Sequence, residues 1–275
     1  MVHLSTITKY GLGTVIGTMV LGDITEQAMR KFDTEIQKPI DSISVIMPSY
    51  NEEFTVELAT ASVREQSIVQ EYPEYFEFIL IDSGSQDKTV ELAEPYVDKV
   101  IIAPRGKLTS RNIATNQAKG NIIVSTDSDS YYPYHWLNTL LDPFNDLNYG
   151  PIAGVIGNTL DYGIANIPGW LHSIVYTLDR VILHPKQMPG RNSAYYKHLF
   201  YTSGGFNENI NQFNIVSMLN EEELGFGYRL AKLGRLVFKI NATCIHLGGE
   251  KVACRLGIAN KDRCKGYGFN IERFG

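Results

Sequence analysis

Asp127 and Asp129, separated only by Ser128, follow the apolar run Asn121-Ile122-Ile123-Val124 and a short polar step, Ser125-Thr126. In extended backbone, residues two apart point to the same side, so both carboxylates can converge on one divalent cation while Ser128 faces away. Hard ions such as Mg²⁺ or Mn²⁺ take oxygen ligands: one or two carboxylates, with phosphate oxygens and water completing the shell. The triplet therefore suits a metal-bound diphosphate. Asp and Ser are equally the residues of a polar turn that closes a strand, a reading that needs no ligand.

The elements around the triplet decide where it would sit. Ile43-Ser44-Val45-Ile46-Met47 reads as a strand ended by Pro48, and Asn51-Glu52-Glu53 opens a helix running to about Gln66. A second strand, Phe76 to Ile81, ends at Asp82-Ser83-Gly84-Ser85-Gln86-Asp87 and leads to a helix from Thr89 to Tyr96. Val100 to Ile102 is a third strand, Thr109 to Ala118 a helix stopped by Gly120, and Asn121 to Ser125 the strand before the triplet. This alternation predicts an α/β fold with a mostly parallel, Rossmann-like sheet flanked by helices, whose ligands bind beyond the carboxyl ends of the strands. Ser49-Tyr50-Asn51, Asp82-Ser83-Gly84 and the acidic triplet all fall at those ends, so three polar loops should line one crevice.

Beyond Tyr131 the pattern is less regular. A helix is expected near Tyr134 to Leu141, a strand near Ala153 to Gly157, and an amphipathic stretch from Trp170 to Leu183. Gly190 to Phe206 reads as turn-rich; Glu222 to Leu233 reads as a helix with Phe226, Leu230 and Leu233 at core spacing, and Leu236 to Ile240 as a strand.

The 275 residues, 44% of them apolar, are enough for one α/β domain with extensions, and the net charge of −5 comes from interspersed acids and bases, not the profile of a nucleic-acid binder. Cys244, Cys254 and Cys264 form neither a C-x-x-C pair nor a zinc pattern, which points to free thiols in a reducing, cytoplasmic setting. Residues 1–41 are an N-terminal extension in which Tyr10 to Gly22 is apolar and glycine-rich, short for a membrane span and open to three readings: peripheral membrane contact, a signal peptide, or a packed helix. Residues 247–275 form a C-terminal extension where Arg255, Lys261, Arg263 and Lys265 interleave with apolar residues, as a membrane-facing surface or a solvated cover on the core would require.

Six ordered segments resemble a family 2 glycosyltransferase of the GT-A fold: ISVIMPSYNEE at Ile43 to Glu53, LIDSGSQDKT at Leu80 to Thr89, SRNIATNQAKG at Ser110 to Gly120, the DSD triplet, GGFNE at Gly204 to Glu208, and EEELGFGYRLAKLG at Glu221 to Gly234. The resemblance spans residues 42–246 and implies a nucleotide-binding half, 42–130, and a smaller acceptor-binding half, 131–246. It implies a nucleotide-sugar donor, most often a UDP-sugar, with Pro48, Tyr50 and Glu52 on the first nucleotide loop and Asp82 accepting from the base. An Asx turn is the alternative for Asp82. Arg111 and Lys107 would approach phosphate or base, and Asp127 and Ser128 would lie near the ribose. Asp127 and above all Asp129 would hold Mn²⁺ or Mg²⁺, with His246 either a third ligand or a structural histidine.

The resemblance also places an acidic pair at the start of the helix beside the acceptor. Alignment on FGYRL selects Glu222 and Glu223, with Glu223 as the base that deprotonates the acceptor hydroxyl; Asn220 and Glu223 equally resemble a capping box. Gly205 would lie beneath the sugar or acceptor, and Asn192 would contact sugar hydroxyls. Trp170, Tyr195 and Tyr196 have the surfaces to stack on a sugar or to fill the core. The implied reaction is inverting transfer to a hydroxyl of a glycan, lipid-linked or protein-linked acceptor. A non-catalytic carbohydrate-binding or structural descendant is the alternative. A nicotinamide enzyme is disfavoured because Gly11, Gly13 and Gly17 miss the G-x-G-x-x-G spacing and follow no expected strand.

Overall fold

The computed structural model describes residues 36–161, 178, 186–208 and 221–248. Its centre is β1 (Ile43–Ser49), buried along its whole length. It pairs in parallel with β2 (Phe76–Asp82) on one side and β4 (Ile122–Thr126) on the other, and β2 pairs in parallel with β3 (Lys99–Ile102). Such near-continuous apolar runs are what a sheet covered on both faces requires.

Side chains alternate between the two faces. Val45, Met47, Leu80 and Val124 enter one core with α1 (Val56–Arg64) and α5 (Trp136–Asn145), which supplies Trp136, Leu137, Leu140 and Leu141. Ile46, Ile79, Ile81 and Ile123 enter the other with Leu108 and Ala114 of α4 (Lys107–Gln117). Two short helices, α2 (Ser67–Glu71) and α3 (Thr89–Ala93), complete the crossovers. Gly120 lets the α4–β4 turn lie against β1, since a Cβ there would meet the backbone of Ile43 and Ser44.

The second half extends the same sheet and makes it mixed. The order is β3-β2-β1-β4-β7-β6-β8-β5. Here β5 is Ser130–Tyr131, β6 Ile152–Asp161, β7 Asn192–Tyr196 and β8 Arg235–His246. β7 runs antiparallel to β4 and β6, β8 parallel to β6, and β5 antiparallel to the end of β8. Two short helical elements flank this half, α6 (Lys197–Thr202) and α7 (Glu221–Leu230).

Three expectations change. The stretch from Gly190 to Phe206 contains a buried strand and a helix, because the polar side chains of Asn192 and Ser193 find hydrogen-bond partners inside the protein. β8 continues beyond Ile240 to His246 across an irregularity in its pairing. Leu233 lies past the end of α7 and is 39% exposed, whereas Phe226 and Leu230 are fully buried. Cys244 is a free, buried thiol whose pKa burial pushes up to about 12. The apolar stretch at Tyr10 to Gly22, that at Trp170 to Leu183 apart from Leu178, and all but two residues of the C-terminal extension lie outside the described residues. Among the described residues no helix is long and apolar enough to cross a membrane.

Candidate active site

The carboxyl ends of β1, β2 and β4 and the β3–α4 loop enclose a cleft of about 440 Å³, lined among others by Pro48, Tyr50, Glu52, Ser83, Arg105 and Lys107 and floored by Asp127, Ser128 and Asp129. Its first wall is braced by the neighbouring loop. Asn51 takes φ 53°, a left-handed conformation that Asn adopts more readily than most residues. Its N–H donates to Ser85 Oγ at 2.8 Å while its Oδ1 accepts from the Gln86 N–H at 3.0 Å. The Glu52 N–H donates to Thr89 Oγ1 at 2.7 Å. Facing it, the Arg105 guanidinium lies 4.4 Å from the centroid of the Tyr50 ring, at cation–π distance.

Asp82 stands behind this wall. Its carboxylate accepts from Ser49 Oγ at 3.0 Å, the Gly84 N–H at 2.9 Å, and the Ser85 N–H at 2.7 Å, and the side chain is buried. It forms the Asx turn that was the alternative for this residue, shaping the loop whose Ser83 lines the cleft.

The acidic triplet departs from extended backbone. β4 ends at Thr126, and Asp127 to Asp129 form a turn before β5, so the two carboxylates have different partners. Asp127 Oδ1 accepts from Arg111 Nη2 at 2.5 Å and Oδ2 from Lys107 Nζ at 2.8 Å, with Arg191 Nε 3.9 Å from Oδ2. Burial pushes the Asp127 carboxyl up, but the charges of Lys107 and Arg111 outweigh it and hold the group below the ordinary carboxylate range. Ser128 Oγ donates to the Pro48 carbonyl at 3.0 Å, tying the turn to the end of β1.

Asp129 meets His246. Nε2 of the imidazole lies 3.0 Å from Asp129 Oδ2, at the point where Ser130 of β5 pairs with His246 of β8. The Leu247 N–H donates to the Asp129 carbonyl at 2.8 Å and closes the junction. Burial raises the Asp129 carboxyl, yet the hydrogen bond and charge of His246, with Arg191 and Lys107 beyond, bring it well below the ordinary range. Carboxylate oxygen and imidazole nitrogen are a donor set that suits Mn²⁺. Among the described residues no group of three or more His, Cys, Asp and Glu side chains is arranged to hold a metal, so an ion here would draw its other ligands from phosphate and water.

Arg111 is the least expected placement. It is 1% exposed on α4 and turned inward, donating from Nε to Ser125 Oγ at 3.1 Å as well as to Asp127. It therefore positions Asp127 and does not line the cleft, where the charge on offer comes from Lys107 and Arg105. Gly190 lies against the guanidinium, and its carbonyl accepts from Ser125 Oγ at 2.6 Å. A Cβ at Gly190 would collide with the Arg111 side chain, so Gly190→Ala is expected to cost roughly 1–3 kcal/mol, the usual range for overpacking. Urea unfolding of the two proteins checks this, and an unchanged midpoint would refute it.

Asn192 and Gly205 also lie away from the cleft. Asn192 is fully buried, with its amide engaged by Trp136, Asn158 and Ala242. Gly205, at φ 63°, packs beside Phe200, and its carbonyl accepts from Arg229 Nη2 at 2.5 Å. Tyr195 is core, stacked on Phe200. Glu221, Glu222 and Glu223 occupy the first turn of α7; their side chains lie outside the description. Ser83 lines the cleft as expected of its loop, whereas nothing in the sequence reading pointed to Arg105, although it belongs to a Pro-Arg-Gly-Lys turn that could have marked a basic rim.

The glycosyl transferase family 2 profile matches residues 44–208. An uncharacterized glycosyltransferase of Haemophilus influenzae is 35% identical over 32% of this chain and 36% of its own length. The undecaprenyl-phosphate 4-deoxy-4-formamido-L-arabinose transferase of Pseudomonas aeruginosa is 29% identical over 34% and 30%. The matched region thus spans about a third of the length of these curated relatives. Among solved structures, mannosyltransferase PcManGT from Pyrobaculum calidifontis, in complex with GDP-Man and Mn²⁺, superposes with a TM-score of 0.56 at 19% identity, over 84% of this chain and 64% of that one. TarS 1-349 of S. aureus in complex with UDP-GlcNAc gives 0.52 at 20%, over 72% and 55%. These neighbours share the GT-A fold, the mixed sheet with helices on both faces. Because the profile covers more than half of the 275 residues, and covers the strands and turn that build the cleft, the chain belongs to glycosyl transferase family 2.

Proposed function

We propose that this chain is a divalent-metal-dependent, inverting glycosyltransferase that moves a sugar from a nucleoside-diphosphate sugar, a UDP-sugar in the first instance, to a hydroxyl of a glycan or lipid-linked acceptor. The observation that carries this reading is Asp129, joined to His246, on the floor of a cleft that Lys107 and Arg105 also line. A basic rim faces an anionic diphosphate, and α4 opens at Lys107, so the positive end of that helix points toward the same space.

In this reading Tyr50 and Arg105 bound the nucleoside end of the cleft and Pro48, Glu52 and Ser83 shape its walls. Lys107, held at 2.8 Å from Asp127 Oδ2, is aimed by that carboxylate at the diphosphate and neutralises part of its charge. Asp129 and His246 would hold Mn²⁺ or Mg²⁺. The ion would act as a Lewis acid for charge developing on the departing nucleoside diphosphate. Glu223, or Glu222 beside it, takes the proton of the attacking hydroxyl as the acceptor oxygen bonds to the anomeric carbon and the bond to the diphosphate breaks. One displacement inverts that centre and needs no carboxylate nucleophile. The Pseudomonas relative, named for undecaprenyl phosphate, supports a lipid-linked acceptor, and a cytoplasmic membrane face would suit one.

Calorimetric titration with UDP, GDP, CDP and dTDP, each with Mn²⁺ and with EDTA, tests the donor site. The expected result is base-selective binding strengthened at least tenfold by Mn²⁺. Folded protein that binds no nucleotide under either condition would refute the transferase reading and favour the non-catalytic one.

A further inference from the structure

β8 does not run past β6 as a regular strand. Gly157 is paired with Lys239, and the next β6 residue, Asn158, is paired with Thr243, so Ile240, Asn241 and Ala242 have no partner opposite. Beyond the bulge the ladder resumes, with Thr159 opposite Cys244, Leu160 opposite Ile245 and Asp161 opposite His246. An insertion of this kind advances the strand, and an odd number of residues also exchanges the sheet faces to which everything after it points. Had β8 continued in the register set by Gly157 and Lys239, Thr243 rather than His246 would lie opposite Asp161, and His246 would fall three residues beyond it.

One buried side chain clasps both sides of the shift. Asn192 Nδ2 donates to the Asn158 carbonyl at 2.5 Å, where β6 resumes, and to the Ala242 carbonyl at 2.9 Å, at the end of the bulge. Its Oδ1 accepts from Trp136 Nε1 at 2.9 Å, which anchors the amide to α5. Both amide protons and one acceptor position are thus used, and both side chains are almost wholly buried. Gly157 leaves the room for this, since a Cβ there would overlap the Asn192 amide. Thr243 Oγ1 donates to the Ile240 carbonyl at 2.7 Å and closes the bulge on itself.

We propose that Asn192 is the positioning residue of the Asp129–His246 pair: with Trp136 it locks the three-residue bulge whose register delivers the His246 imidazole to Asp129. The step from that geometry to metal affinity rests on the function proposed above; the geometric claim stands apart from it. Partners that orient a metal's ligands without touching the ion typically change its affinity by about ten- to a hundredfold.

Asn192→Asp is the sharpest test, because it keeps shape and the acceptor for Trp136 but replaces two donors by oxygen opposite two carbonyls. Trp136→Phe, which removes the indole donor together with part of a buried ring, serves if Asn192→Asp does not fold. In full-length protein, the His246 imidazole resonances, assigned with His246→Ala, are read without metal, and Mn²⁺ affinity is read by electron paramagnetic resonance in the presence of UDP. The expected result is displaced His246 resonances and about ten- to a hundredfold weaker Mn²⁺ binding in folded variants, with UDP binding in EDTA unchanged. A purely structural Asn192 would lower Tm and leave both readouts at wild-type values, which would overturn the proposal. Wild-type protein that binds no Mn²⁺ would refute the functional reading, while unmoved imidazole resonances in a folded variant would still refute the positioning role.

Discussion

Asp129→Ala is expected to lower kcat/KM by about a thousandfold or more and to abolish the response of the residual rate to Mn²⁺. The carboxylate sits on the cleft floor against His246, and among the described residues no alternative cluster of acids and histidines is arranged to take over an ion. Lewis-acid stabilisation of a developing anion is worth several kcal/mol, and each 1.36 kcal/mol is a factor of ten, so the loss of about 4 kcal/mol corresponds to about three orders of magnitude. UDP binding in EDTA should be retained, because Lys107, Arg105 and the Tyr50 wall are untouched. Steady-state rates across a Mn²⁺ titration, with Tm recorded on the same preparations, check both parts. A folded variant within tenfold of wild type and with the same Mn²⁺ dependence would remove Asp129 from the mechanism.

What could be read in advance follows from how local each signal is. β1, β2 and β4 are legible because Ile43 to Met47, Phe76 to Ile81 and Asn121 to Ser125 are apolar runs bounded by turn residues, and their alternation with helices brings the loops after them to one end of the sheet. The placement of Asp127, Asp129, Tyr50 and Lys107 around one cleft follows from that alternation together with the family motifs. β7 was hidden because Asn192 and Ser193 are polar; Ser193 is satisfied by the nearby Pro189 carbonyl, but the burial of Asn192 is tolerable only through partners far along the chain, Trp136 being 56 residues away. The bulge in β8 is likewise a matter of pairing across strands, and no spacing within Arg235 to His246 announces it. Arg111 illustrates the same limit. A helix arginine reads as a surface or ligand-binding cation until Asp127, Ser125 and Gly190 are brought around it.

That burial gives Arg111→Met a large expected effect on stability, roughly 3–5 kcal/mol, the usual loss when one member of a buried ion pair is removed. Methionine restores much of the volume but leaves Asp127 Oδ1 without its closest cation, and Lys107, half exposed, is screened by water. The sign of the pH dependence separates lost charge from lost packing. In the wild-type protein the folded-state pKa of Asp127 is depressed, so its ionisation contributes stability above the unfolded-state value near 3.9, and that contribution is lost as pH falls through the lower folded-state pKa. Without Arg111 the upward push of burial meets less opposition and the folded-state pKa rises. The variant should therefore be most deficient near pH 7 and should approach wild type as Asp127 takes up its proton toward about pH 4. Urea unfolding at pH 7 and near pH 4.5 measures the two gaps. A deficit of equal size at both would assign the loss to packing against Gly190 and Ser125, and a deficit below about 1 kcal/mol would mean that Lys107 and Arg191 suffice to hold the carboxylate.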